Sequence, residues 1–485
     1  MLFSSVPFLY YFLPVVVISY FLLSWGVEGV FRTCGKAAFG KKAGLVTKNL
    51  ILLGFSLLFY AWGEPLYVFL MIGSVLMFWG CGFAIGKAKT RLWKRIWLTV
   101  SIVTSLALLG LFKYADFFVE NFNALTGLNT PLLRLALPVG ISFYTFQALS
   151  YTIDVYRGNA QVQKNLISFG TYVALFPQLI AGPIVRYVDV AKEIDKRSHS
   201  WDEIAQGLRR FVIGLAKKII LADNFALLMR LFRESGDQSV LFYWMYAISI
   251  GLNIYFDFSG YSDMAIGLGR VFGFHFVENF NYPYLSKSIA EFWKRWHMSL
   301  GSWFRDYVYI PLGGNRVSNV RWLINTFIVW SLTGLWHGAA WNYVLWGILY
   351  AVFLLIEKWV PALRRMPTVL RRFYTLLVVF LGMVIFNAAD LSQIGTDVAK
   401  MFGFGGLPFL SGDTLYYLGS FAVLFILGIV GSTDLVKNTT TRLANGKKTA
   451  PVVAVLEPIV IFVLLLICTG YLVDGAFSPF LYFRF

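Results

Sequence analysis

Charge is scarce in this chain. Only 14% of its 485 residues are Asp, Glu, Lys or Arg, against 58% hydrophobic. A well-dispersed soluble surface carries about 25–35% charged residues, so a soluble globular protein is excluded. Cysteine is scarcer still. Cys34, Cys81 and Cys468 are the only three, widely separated and without metal-ligand spacing, which excludes a disulfide framework and a zinc site. Cys81 and Cys468 lie in or beside apolar runs and read as packing residues. Acidic residues are also few, 25 against 42 basic, for a net charge of +17. No basic stripe on a soluble fold accompanies that excess. The basic residues sit in short loops between apolar runs, where the positive-inside bias places them, so nucleic acid is not an expected partner. Repeats at solenoid spacing and a detachable soluble domain are absent as well.

What the chain does have is apolar runs of roughly the 20 residues that cross a bilayer. The first, 8–25, has no basic residue before it and no small-residue cleavage site after it, so it reads as a permanent span. Hydropathy gives about eleven spans: 8–25, 49–63, 66–86, 96–113, 135–156, 239–258, two within 321–357, 372–388, 415–432 and 452–472. Arg32, Lys36, Lys41, Lys42 and Lys48 against Glu28 put the first loop on the cytoplasmic side and the N-terminus outside. The basic loops KAKTRLWKR, EKWVPALRRMPTVLRR and KNTTTRLANGKK follow the same rule, which leaves the C-terminus outside too.

Several spans are not plain. Pro138, Gly140, Gln147 and Asp154 mark 135–156 as facing other helices. Pro177, Gly182 and Pro183 break ISFGTYVALFPQLIAGPIVRY, and irregular backbone at depth must be covered by protein or line a cavity. A re-entrant segment is the expectation there. GLRRFVIGLAKKII alternates basic and apolar positions as an interfacial helix does. Asp257, Asp263 and Arg270 are expected to pair structurally rather than relay protons. His199 reads as a solvated loop residue and His275 as a boundary residue.

Two of the four histidines fall in 291–342. His337 lies among Trp336, Gly338 and Trp341 near the end of an apolar run. An ionisable group there is costly unless used. Gly334 and Gly338 are spaced i, i+4, so another backbone could approach beside it. In a protein-lined cavity His337 could act as general base, since a hydroxyl acceptor must lose its proton in acyl transfer. The plainer alternative is a buried histidine donating to a carbonyl. His297 sits in FWKRWHMSL, expected as a helix at the cytoplasmic interface, with Phe292, Trp293 and Trp296 in the aromatic belt and Lys294 and Arg295 snorkelling. Either this is a surface anchor or it walls a polyanionic substrate. Arg305, Asp306 and Arg316 lie close along the chain, and the PLGGNR turn, which includes Asn315, offers backbone amides to phosphate.

WHMSLGSWFRDYVYIPLGGNR followed by LTGLWHGAAWNYVLWG resembles the membrane-bound O-acyltransferase (MBOAT) superfamily, in particular the bacterial branch of alginate O-acetylation and teichoic-acid D-alanylation. LALPVGISFYTFQALSYTIDVYRG, FPQLIAGPIVRY and FDFSGYSDMAIGLGR are similar to the same branch, so the resemblance covers nearly the whole chain. It implies that His337 is the central catalytic histidine and His297 the second characteristic polar position. It also implies a tunnel that an acyl thioester enters from the cytosol. Trp296, Arg305, Asp306, Asn315 and Trp336 are the candidate substrate-binding residues. The tail at 474–485 contains Phe480-Leu481-Tyr482-Phe483, which resembles the F-x-Y-F motif of the small partner protein in D-alanylation, whose tyrosine accepts the acyl group. Tyr482 needs a base to attack a thioester, its phenol being weakly acidic. An aromatic interfacial anchor is the plainer reading of that tail.

The expectation is therefore an all-α polytopic membrane protein, a single domain over 1–485, with about eleven transmembrane helices plus re-entrant and interfacial helices around a central tunnel. Its activity would be O-acetyl transfer from cytosolic acetyl-CoA, with no bound cofactor and no metal. An exported or cell-wall polysaccharide would be the acceptor, an extracytoplasmic SGNH-type serine acetyltransferase the partner, and the bacterial inner membrane the location. D-alanyl transfer to teichoic acid and a proton-coupled glycan transporter are the rivals, with modification of membrane lipid a more distant one.

Overall fold

The computed structural model describes residues 1–475, and every regular element among them is helical. The first half of the chain forms α1 (Leu13–Thr33), α2 (Ala37–Gly63), α3 (Tyr67–Lys87), α4 (Arg91–Leu109), α5 (Ala115–Thr126), α6 (Ile141–Arg157), α7 (Leu166–Ala174), α8 (Phe176–Leu179), α9 (Tyr187–Asp195), α10 (Trp201–Ala216), α11 (Asp223–Glu234) and α12 (Val240–Val271). The second half forms α13 (Ile289–Arg295), α14 (Met298–Phe304), α15 (Asn319–His337), α16 (Trp341–Trp359), α17 (Pro361–Arg365), α18 (Thr368–Asn387), α19 (Leu391–Met401), α20 (Gly412–Ser420), α21 (Ala422–Gly431), α22 (Leu435–Asn445) and α23 (Ala450–Val473). Seven of the described helical stretches are long and apolar enough to cross a membrane, and α20 with α21, bent by 59°, makes eight if the pair is one span. The reading of about eleven also counted α6, α15 and α16. These three form as helices, but α6 has 17 residues, and α15 and α16 carry polar groups such as Arg321, Asn325, His337 and Glu357 among their apolar ones.

The chain groups into two compact units, one of residues 1–211 with 262–277, the other of 212–261 with the chain from Glu278 onward. In the first, α1 packs along α2, and α3 packs against α4 and α6. Lys41, Lys42 and Lys48, read as loop residues, are helical in α2, and Lys48 pairs with Glu28 of α1 at 3.5 Å. Gln147 and Asp154 of α6 are buried, as their polarity within a span predicts. The break between α7 and α8 also follows the sequence. Leu175 leaves the helical conformation, Pro177 restarts it, and every residue from 168 to 185 is buried. Buried backbone groups need partners, and side chains supply them here. Ser56 Oγ accepts from Phe176 N at 3.0 Å, and the Tyr172 hydroxyl donates to the Val185 carbonyl at 3.1 Å.

His199 is not a solvated loop residue. Its Nε2 lies 3.0 Å from the Tyr20 hydroxyl, and its ring packs against Tyr20 and Phe21. Tyr20 donates onward to the Phe272 carbonyl at 3.0 Å. Its apolar partners, far away along the chain, were invisible in the local sequence.

In the second unit, α15 and α16 pack as a helical pair in which small residues let the backbones meet. A Cβ at Gly334 would collide with the Tyr343 carbonyl, and one at Gly347 with the Trp330 carbonyl. Gly338 is outside the helix, in extended conformation after His337. The acidic residues of α12 do not pair with its own Arg270. Asp257 meets Lys218 at 2.7 Å, and Lys218 also meets Asp223 at 2.7 Å. In the first unit Asp263 meets Arg210 at 2.8 Å and Arg270 meets Glu203 at 3.1 Å. The reason is geometric, because residues on one helix face pair only at three- or four-residue spacing. The segment read as interfacial, 207–220, forms most of α10 and the π-turn Lys217–Ala222, and it carries Lys218 into the interior.

Burial drives the His199 pKa down from 6.5 to about 4, with the Lys48 and Arg197 charges acting in the same direction. The fold therefore favours the neutral ring, while the unfolded chain takes up a proton below about 6.5. Stability from this site is complete above that pH and declines as pH falls toward 4. Thermal unfolding in detergent should show a lower midpoint at pH 5 than at pH 7, and His199→Gln should narrow the gap. At Gly260 a Cβ would lie 2.7 Å from the Gly214 carbonyl. Gly260→Leu is expected to cost about 1–3 kcal/mol by overpacking, read as a lower thermal midpoint.

Candidate active site

The stretch expected as one interfacial helix is two short ones. The side chain of Ser288 caps α13 by accepting from Glu291 N at 3.0 Å, and Glu357 of α16 accepts from the Ala290 amide at 3.0 Å. At Trp296 the helix stops, because the chain swings through a left-handed residue, His297, at φ 45° and ψ 54°. A non-glycine residue there costs about 1–3 kcal/mol and persists only when its surroundings hold it. Those surroundings are the segment before α13. Asn281 N donates to the Arg295 carbonyl and Met298 N to the Asn279 carbonyl, each at 2.9 Å. His297 is thereby buried, not anchored at a surface.

His337 is the last residue of α15 and is buried too. Its ring stands edge-on to Trp336, Trp346 and Phe386, with centroids 5.0, 5.1 and 5.1 Å away. Trp336 also lies 5.8 Å from the ring of His297. The tertiary fold has thus brought two imidazoles, 40 positions apart in the sequence, to one indole. Both line a cavity of about 1020 Å³.

Of the other candidates, Trp296, Arg305 and Asn315 line the same cavity. Trp336 does not line it but packs between the two histidines. Asp306 pairs with Arg305 at 2.7 Å and orients that guanidinium. The PLGGNR turn is not the phosphate cradle its glycines suggested. Its amides are used internally, with Gly313 N bonded to the Ile310 carbonyl and Gly314 N to the Tyr309 carbonyl, each at 2.9 Å. Asn325 of α15 clamps the turn by donating to the Leu312 carbonyl at 3.1 Å. Tyr482 falls outside the described residues.

The positive charge that a polyanion would need comes from elsewhere. Lys287, Lys294, Lys358, Arg364 and Arg371 line the cavity together with Arg305, and Glu357 is the acid among the lining residues. Glu357 is engaged by the amides that start α13. Arg371 Nε donates to the Lys287 carbonyl at 3.2 Å and Arg364 to the Glu357 carbonyl at 3.1 Å. A guanidinium has five donors, so each keeps others for a ligand. Sequence reasoning read Arg364 and Arg371 only as a topology signal, because a basic loop after a span satisfies the positive-inside bias by itself. It also passed over Asn279 and Ser299, short polar residues in turn-like stretches.

Residues 159–389, which include both histidines, match the membrane-bound O-acyltransferase family. The probable alginate O-acetylase AlgI of Pseudomonas aeruginosa is 42% identical over 84% of this chain and 75% of its own. The chain belongs to the membrane-bound O-acyltransferase family. The corresponding protein of Pseudomonas putida is 37% identical over the full length of both chains, and the peptidoglycan O-acetyltransferase of Helicobacter pylori is 33% identical over 84% of this chain and 81% of its own. The protein is accordingly a multi-pass membrane acyltransferase. An O-acyltransferase must bring an acyl donor and an acceptor hydroxyl together, and the cavity with its two histidines is the candidate place.

Asn342, part of the WHGAAWN sequence, holds the wall of that site. Its amide donates to the Phe386 carbonyl at 3.1 Å and the Ala388 carbonyl at 3.0 Å, which fixes the end of α18 against His337. Asn342→Ala should leave these buried carbonyls unpaired at a cost of about 1–3 kcal/mol. Thermal unfolding and acyl transfer measured on the same preparation should both fall.

Proposed function

We propose that this MBOAT transfers acetyl from acetyl-CoA and delivers it for O-acetylation of an exported or cell-wall polysaccharide. The observation that carries the reading is a cavity lined by two buried imidazoles and by six cations against one acid. A CoA thioester has the matching chemistry, with a polyanionic nucleotide at one end and a reactive carbonyl at the other. Relatives named for alginate and peptidoglycan O-acetylation support acetyl as the acyl group and a polysaccharide as the final acceptor.

In the proposed reaction His337 takes the proton of the acceptor hydroxyl as its oxygen attacks the thioester carbonyl. The C–O bond forms, the C–S bond breaks, and the proton passes to the departing sulfur, which leaves as the thiol. His297 helps place the thioester. The acceptor hydroxyl is that of Tyr482 in the C-terminal F-x-Y-F sequence, or of a sugar. From Tyr482 a separate extracytoplasmic serine acetyltransferase of the SGNH type would carry the group to the polysaccharide. This arrangement has both termini outside and the basic loops inside the inner membrane of a bacterial cell, as the charge bias favours.

Intact-mass and peptide mass spectrometry after incubation with isotopically labelled acetyl-CoA test the scheme. A labelled C-terminal peptide in the wild type, lost in both His337→Ala and Tyr482→Phe, is the expected outcome. An unlabelled wild-type tail, with transfer seen only when a glycan acceptor is added, would remove the tyrosine relay. The basic lining has its own test. Lys294→Ala with Arg371→Ala should raise KM for acetyl-CoA about tenfold, equivalent to ~1.4 kcal/mol. KM for S-acetyl-pantetheine, which has no phosphates, should not change.

A further inference from the structure

We propose that the side-chain oxygen of Asn279 fixes His297 in the form that leaves Nε2 as a hydrogen-bond acceptor, which receives an N–H or O–H of the reacting substrates. The role assigned to the substrate rests on the acetyl-transfer reading above, whereas the role of Asn279 rests on geometry alone. Asn279 is a positioning residue, and it lies 18 positions before His297.

Three groups converge on one atom of Asn279. His297 Nδ1 lies 3.0 Å from Oδ1, Ser299 Oγ lies 2.9 Å from it, and the Ser299 backbone N lies 3.3 Å from it. The oxygen and nitrogen of an asparagine amide must be told apart by their partners, and here the partners decide. A backbone N–H can only donate, so the atom facing Ser299 N is the oxygen. An amide oxygen can only accept. His297 must therefore carry its hydrogen on Nδ1. Ser299 Oγ is also 3.5 Å from Nδ1, too far to compete with its shorter bond to the amide oxygen.

The other ring nitrogen follows. Nε2 is buried and has no hydrogen-bond partner among the described residues. A second proton there would bury a charge with nothing to accept it, which is expensive, so the ring is neutral and Nε2 presents a lone pair. Phe258 stands edge-on to the ring at 4.6 Å between centroids, and His297 is one of the residues that line the cavity. A ring in this form cannot donate to a thioester carbonyl. It can accept from the amide N–H of the thioester's cysteamine arm or from the acceptor hydroxyl, and both are hydrogen donors that the reaction brings to this place.

The chain has only four histidines, so [15N]histidine-labelled protein in lipid gives few enough signals to read each tautomer by solid-state NMR. Loss of signals in His297→Gln assigns the ring. The wild type should show Nδ1 protonated and Nε2 bare. Asn279→Leu should mix or reverse the two forms, and Asn279→Asp, which keeps an acceptor oxygen, should retain the wild-type form. A wild-type ring protonated on Nε2, or a ring unchanged in Asn279→Leu, overturns the proposal.

Acetyl transfer by the same proteins separates the two donors. A KM for acetyl-CoA raised about tenfold in Asn279→Leu with kcat kept identifies the thioester arm. A kcat lowered about tenfold with KM kept identifies the hydroxyl. No change in either parameter overturns the substrate role. Absence of acetyl transfer by the wild type would defeat the functional reading and leave the tautomer result standing.

Discussion

The left-handed turn at His297 is the constraint from which the site is built. Helix α13 would otherwise run on into α14, and residue 297 would follow the helical register instead of facing a cavity. Backbone bonds from 279 and 281 to the residues around 297 hold the unfavourable conformation. The Asn279 side chain then adds a bond to the imidazole itself. Strain, position and protonation form are thus set by one neighbouring segment. His337 arrives by an independent route, at the end of α15, where the close approach of α16 at Gly334 brings Trp346 against it. Phe386 closes it from α18, whose end is tied down by Asn342. Trp336 is the piece that both histidines share.

Around this centre the interior is more polar than the composition suggests, and several of its charges are paired. Lys218 sits between Asp223 and Asp257, and Arg233 grips Asp397 and the Tyr246 hydroxyl. Burying a charge costs several kcal/mol unless a partner and hydrogen bonds offset it, so these pairs specify which helices lie side by side. The basic lining of the cavity is different in kind. Its cations outnumber the acids that line it with them, an arrangement suited to a bound polyanion more than to packing. Lys358, Arg364 and Arg371 belong to the basic stretch that begins at the end of α16, and a basic loop after a span is accounted for by the positive-inside bias alone, which is why that stretch reads as ordinary in the sequence.

Much of the fold is legible from local pattern. Apolar runs mark most of the spans, Pro177 marks the break before α8, and the polar residues of α6 face inward as their cost in lipid requires. His337 stands out because an ionisable group in an apolar run needs a reason. Other features are not local. His199 looks solvated until Tyr20 and Phe21 cover it. Asp257, Asp263 and Arg270 look like mutual partners until the helical register separates them. The glycines of PLGGNR look like a phosphate loop, but the turn satisfies its own amides. In each case the deciding neighbour is distant in sequence, and nothing in the nearby residues encodes it.

By itself the sequence determined that this is a helical membrane protein, and its motifs pointed to the O-acyltransferase family. Hydropathy and charge bias act on each segment independently of the others, so they can be read one segment at a time. Only the tertiary structure decided that His297 turns inward, that Asn279 chooses its tautomer, and that five further cations join Arg305 around one cavity. Those are properties of surfaces facing one another, and they exist only once the chain has folded.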